Sequence, residues 1–302
     1  MKKFRVLFPT GLIAIMAFFA MSCEKNELSP ISDPDVSTDI LLAQDDVVSD
    51  DIYNDIDADI QSAVQTLEEN EFQTVSTKSA DDEFPCLEVT VDHPDTTQFP
   101  KVISFDYGEG CMFIINGDTI TKKGMILVTL TDRFFNPGAQ RIVTFKEFYM
   151  NEVKVEGTIT STYIGINDDE LLEYTMILED GKLIYNDTTQ YTREARHKKE
   201  WYRSSVPVED SLYISGSMWG TNIEGVEYSR EITDKLTLAH CSSYGRRWVI
   251  VDGEVVSTVG DIQTVIDYSD GGCDGTAMVI GNGIHQRIRV REHHRNRIHK
   301  GQ

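Results

Sequence analysis

The stretch Tyr174-Thr175-Met176-Ile177-Leu178-Glu179-Asp180-Gly181-Lys182-Leu183-Ile184-Tyr185 decides the fold class. Tyr174 to Leu178 and Leu183 to Tyr185 read as strands, and Glu179-Asp180-Gly181 between them reads as a hairpin turn. The turn follows from backbone chemistry, since Asp and Gly tolerate the positive φ that tight connections between antiparallel strands demand. Asp252-Gly253, between Trp248 to Val251 and Val255 to Val259, repeats the arrangement.

The same period of two extends outward in both directions. Val102 to Tyr107, Met125 to Leu130, Arg141 to Phe145 and Lys154 to Thr160 read as strands upstream. Ser211 to Ser217, Val226 to Ile232, Gln263 to Tyr268, Thr276 to Ile280 and Ile284 to Val290 do so downstream. Asn116-Gly117-Asp118, Asn136-Pro137-Gly138, Asn222 to Gly225 and Asn282-Gly283 punctuate them. Strands joined by short turns pair antiparallel, because a parallel crossover needs a dozen or more residues. Residues 86–291 are therefore expected to be all-β, as an antiparallel β-sandwich or a long curved antiparallel sheet.

The chain before residue 86 is different. Lys2, Lys3 and Arg5 precede a mostly apolar run, Val6 to Ala20, and Ala20-Met21-Ser22-Cys23 follows. A spanning helix needs about 20 apolar residues, whereas this run is shorter and is interrupted by Pro9, Thr10 and Gly11. The layout is that of a signal peptide over residues 1–22, cleaved before a lipid-modified Cys23. Glu24, rather than Asp, after that cysteine favours the outer membrane, with the body on its periplasmic face or at the cell surface. The bilayer, reached through diacylglycerol and palmitate on Cys23, is the first expected partner.

Residues 24–42, with Pro30 and Asp33-Pro34-Asp35, suit a disordered acidic tether, assigned to 23–44. Ile52, Ile56, Ile60, Val64 and Leu67 then recur at helical spacing, giving an amphipathic helix over 45–69 and a polar linker over 70–85. Asp51, Asp55 and Asp59 fall on another face, read as acidic and solvated. Asp55-x-Asp57-x-Asp59 is not an EF-hand start, because Ile60 and Thr66 stand where that loop wants Gly and Glu.

The net charge of −22 is concentrated there. Glu24 to Phe84 holds 18 acidic residues against Lys25 and Lys78, a balance of −16. Such a segment repels phosphate backbones, so nucleic acid is not an expected partner. His285 to Gln302 has six Lys plus Arg against Glu292, and the tail 292–302 is expected to fold back on the acidic segment.

Apart from Cys23 the cysteines are Cys86, Cys111, Cys241 and Cys273, an even number suited to disulfides in an oxidising compartment. They allow three connectivities. Strand pairing about Asp95-Thr96-Thr97-Gln98-Phe99-Pro100 would set Cys86 opposite Cys111, leaving Cys241–Cys273 by remainder. The meander between that second pair, however, puts its first start and last end at opposite edges. No Cys-x-x-Cys spacing supports zinc.

Phe105-Asp106-Tyr107-Gly108-Glu109-Gly110-Cys111 is echoed by Ile266-Asp267-Tyr268-Ser269-Asp270-Gly271-Gly272-Cys273, suggesting two related β-halves. These motifs, with Phe145-x-x-Phe148-Tyr149-x-Asn151-x-x-Lys154-Val155-Glu156-Gly157, resemble a group of Bacteroidota lipoproteins over Cys86 to about Arg291. Ser269 in place of Gly and the basic tail after Val290 depart from the group's pattern. The resemblance implies an envelope location and a β-architecture, and no activity.

No catalytic residue, resident metal or cofactor is expected. Ser215-Gly216-Ser217-Met218-Trp219-Gly220 is not a nucleophile elbow, and Gly281-x-Gly283 lacks a third glycine for a dinucleotide loop. His293, His294 and His299 sit in the solvated tail. Asn167-Asp168-Asp169-Glu170 and the Asp270 to Asp274 turn could each hold calcium, but both are ordinary acidic turns. Trp201, Tyr202, Trp219 and Tyr244 read as exposed aromatics near turns or strand ends, and Trp201 and Trp219 are the candidates for stacking on a ligand unless they fill the sandwich edge. The chain thus reads as an envelope-anchored, non-catalytic β-module, structural, adhesive or ligand-binding, taking a glycan or protein. The alternative is a secreted carbohydrate-processing hydrolase or accessory protein with acidic residues in a β-cleft.

Overall fold

Fourteen strands follow one another in a single antiparallel sheet, and one helix packs on it. The computed structural model describes residues 38–72, 86–94, 97–115, 118–186, 189–241, 247–268, 272–281 and 283–289. The signal peptide, Cys23, most of the tether, most of the linker, Tyr244 and the basic tail lie outside these residues.

The helix α1 spans Thr38–Glu69, and the strands are β1 Glu88–Val91, β2 Lys101–Asp106, β3 Cys111–Ile115 and β4 Asp118–Leu130. Next come β5 Gln140–Met150, β6 Val153–Ile166, β7 Leu172–Ile184, β8 Gln190–Tyr202 and β9 Ser211–Thr221. β10 Glu227–Cys241, β11 Arg247–Val259, β12 Ile262–Asp267, β13 Thr276–Gly281 and β14 Ile284–Arg289 complete the sheet. Each strand from β4 onward pairs with its successor, and β2 and β3 share one edge of β4. Of the two expected architectures, the long antiparallel sheet is the one formed.

The two Asp-Gly sites are not hairpins. Asp180-Gly181 lies inside β7 and Asp252-Gly253 inside β11, each strand running straight through. The pairing register slips between Leu178 and Gly181 against β8 and between Asp234 and Thr237 against β11. A residue in the left-handed region serves a β-bulge as well as a turn. Asp180 takes φ 53° and Gly253 takes φ 111°, and a Cβ on Gly253 would come 2.7 Å from the Lys235 carbonyl oxygen. The flanking partners continue past these sites, so the extra residue, on β7 at Asp180 and on β10 opposite Gly253, bends the ladder instead of reversing the chain.

The repeated Asp-Tyr motif has a structural counterpart at both places. The Tyr107 N–H donates to the Gly124 carbonyl and the Tyr268 N–H to the Gly253 carbonyl, each at 2.9 Å. Each segment then runs to a disulfide, Cys86–Cys111 and Cys241–Cys273. The first bridge does not join residues paired in the ladder. Glu88 already opposes Asp106, and the chain leaves β2 at Gly108-Glu109-Gly110 to start β3 at Cys111. The second forms because β12 covers only the Glu254–Val259 half of β11, so the loop after β12 approaches the end of β10. Closing loops of 25 and 32 residues, each bridge contributes about 3 kcal/mol through the unfolded chain.

The helix begins at Thr38, upstream of the expected 45, because the apolar stripe that marked it starts only at Ile52. Ile52, Ile56, Ile60 and Val64 are buried, each worth about 1.5–3 kcal/mol, while Leu67 is half-buried. A helix this rich in Asp has poor intrinsic propensity, so packing on the sheet holds it.

Its acidic face is only partly solvated. Asp55, Asp57 and Glu68 are buried, and Asp57 and Asp59 both meet sheet cations. Residues two apart on a helix project about 160° apart. Asp59 nevertheless reaches Lys122 on β4 while Asp57 reaches Lys199 on β8. The sheet therefore curls around α1 instead of lying flat beneath it. The strand β8, unforeseen from sequence, carries several of the inward cations.

Candidate functional site

Asp57 sits on the buried side of α1 between two cations from different strands. Its Oδ1 accepts from Arg141 Nη2 at 2.5 Å and its Oδ2 from Lys199 Nζ at 2.7 Å. Burial alone would raise the carboxyl pKa, but Lys199 and Arg141 together hold it below the ordinary carboxylate value. Arg141 also reaches Ser161 Oγ at 3.4 Å and lies 5.1 Å from the Phe134 ring. Asp57 is thus a fixed anion that ties β5 to β8 through the helix.

Three further contacts fasten α1. Lys122 Nζ donates to Asp59 Oδ2 at 2.6 Å and lies over the rings of Tyr107 and Phe113. Burial would lower the Lys122 pKa, yet Asp59 and Tyr107 raise it. The Tyr53 hydroxyl donates to the Glu156 carbonyl at 2.9 Å, and burial pushes its pKa far up. Glu68 Oε1 accepts the Phe134 N–H at 2.7 Å, with burial raising its carboxyl.

The other flank of α1 is open. A cleft of about 710 Å³ separates it from β8, β9, β10 and β11, a volume within the usual range for small-molecule sites, about 300–1,000 Å³. Asn54, Ala58, Gln61 and Gln65 line the helix wall, recurring at helical spacing. Leu212, Ile214, Leu238, Trp248 and Ile250 line the sheet wall, because alternate residues of those strands point inward. The His240 ring lies tilted against Trp248, with ring centroids 4.0 Å apart and planes 36° from parallel.

Trp201 closes one end. Its Nε1 donates to Asp210 Oδ2 at 3.1 Å, and Asp210 Oδ1 accepts the Ser204 N–H at 2.7 Å. Behind it lie Phe134, Tyr163 and Tyr174, with Phe134 and Tyr174 stacked at 5.1 Å. Arg203 pairs with Glu69 at 3.1 Å and lies 5.7 Å from the Trp201 ring. Of the carboxylates that line the cleft, Asp57 and Glu69 hold cations, Asp210 holds two N–H groups, and Asp55 is engaged as well.

The two tryptophans expected to stack on a ligand are not brought together. Trp201 is buried at the cleft, whereas Trp219 is exposed on the opposite face of the sheet, beneath Arg196. Met218, its neighbour on β9, is the inward residue there, so strand alternation turns Trp219 out. Tyr202 is likewise exposed.

The Asn167 turn is held internally, its Oδ1 accepting the N–H groups of Asp169 and Leu171. Asp274 caps the Thr276 N–H and pairs with Arg287. Among the described residues no cluster of three or more His, Cys, Asp or Glu side chains is placed to hold a metal.

Sequence reasoning missed His240, Trp248 and the Asp57–Arg141–Lys199 group. The one available signal was the alternation Tyr191, Arg193, Ala195, His197, Lys199, Trp201, all buried, but polar residues on both faces of β8 conceal it. Comparison of the chain with protein families, characterised proteins and solved structures gives no match.

Proposed function

We propose that this protein is a lipoprotein of the bacterial envelope, held in the outer membrane by acyl chains on Cys23, whose β-module binds a small ligand without transforming it. The ligand enters the cleft between α1 and the strands β8 to β11. The observation that carries this reading is the cleft's chemistry, an apolar and aromatic wall facing a wall of amides and hydroxyls. Sites of this kind bury most of a ligand and orient it with a few polar groups. The alternative, a hydrolase working through acidic residues, is disfavoured because the lining carboxylates Asp57, Glu69 and Asp210 are engaged in ion pairs and hydrogen bonds and Asp55 has a partner too.

A thermal-shift screen of the full mature chain tests the cleft. Ser62 lies on its exposed helix wall, where a larger side chain fills the space without disturbing the core. Ligands that raise the Tm of the native chain are expected to lose that effect in Ser62→Trp. An equal rise in both proteins, or no compound class that shifts the native chain, would sink the reading. Cys23→Ala, followed by palmitate labelling and membrane fractionation, tests the anchor. Label retained on that variant would refute it.

A further inference from the structure

We infer that the ligand of this cleft is a short neutral oligosaccharide, an inference that rests on the ligand-binding reading above and gives it a chemical class. Charge argues first. The cations that line the cleft are committed, Lys199 to Asp57 and Arg203 to Glu69, and Asp210 is held by Trp201 and Ser204. A phosphorylated or carboxylated ligand would have to break an existing ion pair to find a partner. A cationic ligand meets the same obstacle from the other side.

The polar wall comes next. Asn54 and Gln61 present primary amides to the cleft and bond to no other side chain among the described residues. Gln65 shares its Nε2 with Glu69 at 3.0 Å and keeps its amide oxygen. Each amide offers two donors and an acceptor, the complement of adjacent hydroxyls on a sugar ring. Gln61 and Gln65 stand one turn apart, so the wall suits a ligand that repeats its hydroxyls along its length.

The opposite wall excludes the remaining classes. Trp248, tilted against His240, adds aromatic surface to the cleft beside Leu212 and Leu238. A pyranose has an apolar C–H face for such a surface and equatorial hydroxyls for the amides. An acyl chain would desolvate Gln61 and Gln65 without returning hydrogen bonds. An extended peptide would need a strand edge to pair with its backbone, whereas the two walls here are a helix and the face of a sheet.

The test titrates the mature chain with neutral di- to tetrasaccharides of glucose, mannose, galactose and xylose, following tryptophan fluorescence and calorimetric heat. Parallel titrations use a uronic-acid oligosaccharide, a nucleotide, a fatty acid and a neutral tetrapeptide. Saturable binding of one or more neutral saccharides is expected. Trp248→Ala and Gln61→Ala should each weaken it by at least about tenfold, the loss expected of a central contact. Trp219→Ala, on the outer face, should leave it unchanged.

Gln61 is on the surface of α1, so its variant keeps the question open to measurement even where Trp248→Ala does not fold. Saccharide binding that survives both cleft variants overturns the inference. Binding of the fatty acid, nucleotide, uronate or peptide instead, abolished by Ser62→Trp, overturns the saccharide class while the cleft stands. Silence across the whole panel overturns both.

Discussion

The two flanks of α1 belong to one helix, yet they meet the sheet in opposite ways. On one flank Ile52, Ile56, Ile60 and Val64 are buried and Tyr53 and Asp59 are bonded to the sheet, so nothing can enter. On the other, Asn54, Ala58, Gln61 and Gln65 face a cleft. Asp57 lies on the border and ties the curled sheet to the helix through Arg141 and Lys199. The contrast shows that charge here marks attachment and that neutral polar residues mark the open surface. In a chain of net charge −22, acidic residues of α1 that read as a solvated face are drawn into the fold.

The sharpest way to break this contrast is to remove the border residue. Asp57→Asn leaves Arg141 and Lys199 buried without their counter-charge, and losing one partner of a buried pair costs about 3–5 kcal/mol. Urea unfolding should show a loss of that size, and a change below about 1 kcal/mol would mean that the cations are not held by Asp57. The pH profile carries the same information. Because the folded pKa of Asp57 is depressed, its stabilisation is complete above its unfolded value, about 3.9. That stabilisation is lost as pH falls from there through the lower folded value. Asp57→Asn should therefore flatten the acid limb of stability against pH.

The Asp59–Lys122 pair should matter less. Asp59 is 46% exposed, so solvent screens it, although Lys122 is only 8% exposed. Asp59→Asn is expected to cost about 1 kcal/mol, the rings of Tyr107 and Phe113 still receiving the ammonium. The sign of the pH effect is opposite to that of Asp57. Lys122 has a raised folded pKa, so its contribution is present below about 10.4 and is lost as pH rises through the folded value. A native alkaline limb no steeper than that of Asp59→Asn would contradict the pairing.

Much of the architecture was legible because period-two patterning reports one buried face directly. Val102 to Asp106, for example, needs only alternation to be placed as β2. The hairpin readings at Asp180-Gly181 and Asp252-Gly253 failed because a left-handed residue serves a bulge and a turn alike. Whether the chain reverses depends on how far the neighbouring strands continue. Strand β8 escaped because Arg193, His197 and Lys199 occupy its inward positions, and burying cations is sensible only where anions wait. The anion that meets Lys199, Asp57, lies far away in sequence, on a helix whose Asp55 and Asp59 looked solvated for want of any visible partner. Trp201 does line the cleft, but buried and bonded to Asp210 instead of exposed. Trp219 does not, and exposure near a strand end does not say which face of the sheet a ring occupies.

The smallest expected effect tests the open flank itself. Gln61 lines the cleft from the helix and bonds to no other side chain among the described residues. Replacing it with Ala removes no contact that the fold needs, and Ala is the better helix former by a few tenths of a kcal/mol. Gln61→Ala should thus lie within about 0.5 kcal/mol of the native chain in urea unfolding, with an unchanged m-value. A cost of the size expected for Asp57→Asn would show that Gln61 is packed in solution and that this flank is as sealed as the other. A neutral result joined to weakened ligand binding would separate the two flanks, because stability and recognition would then reside on opposite sides of the same four turns of helix.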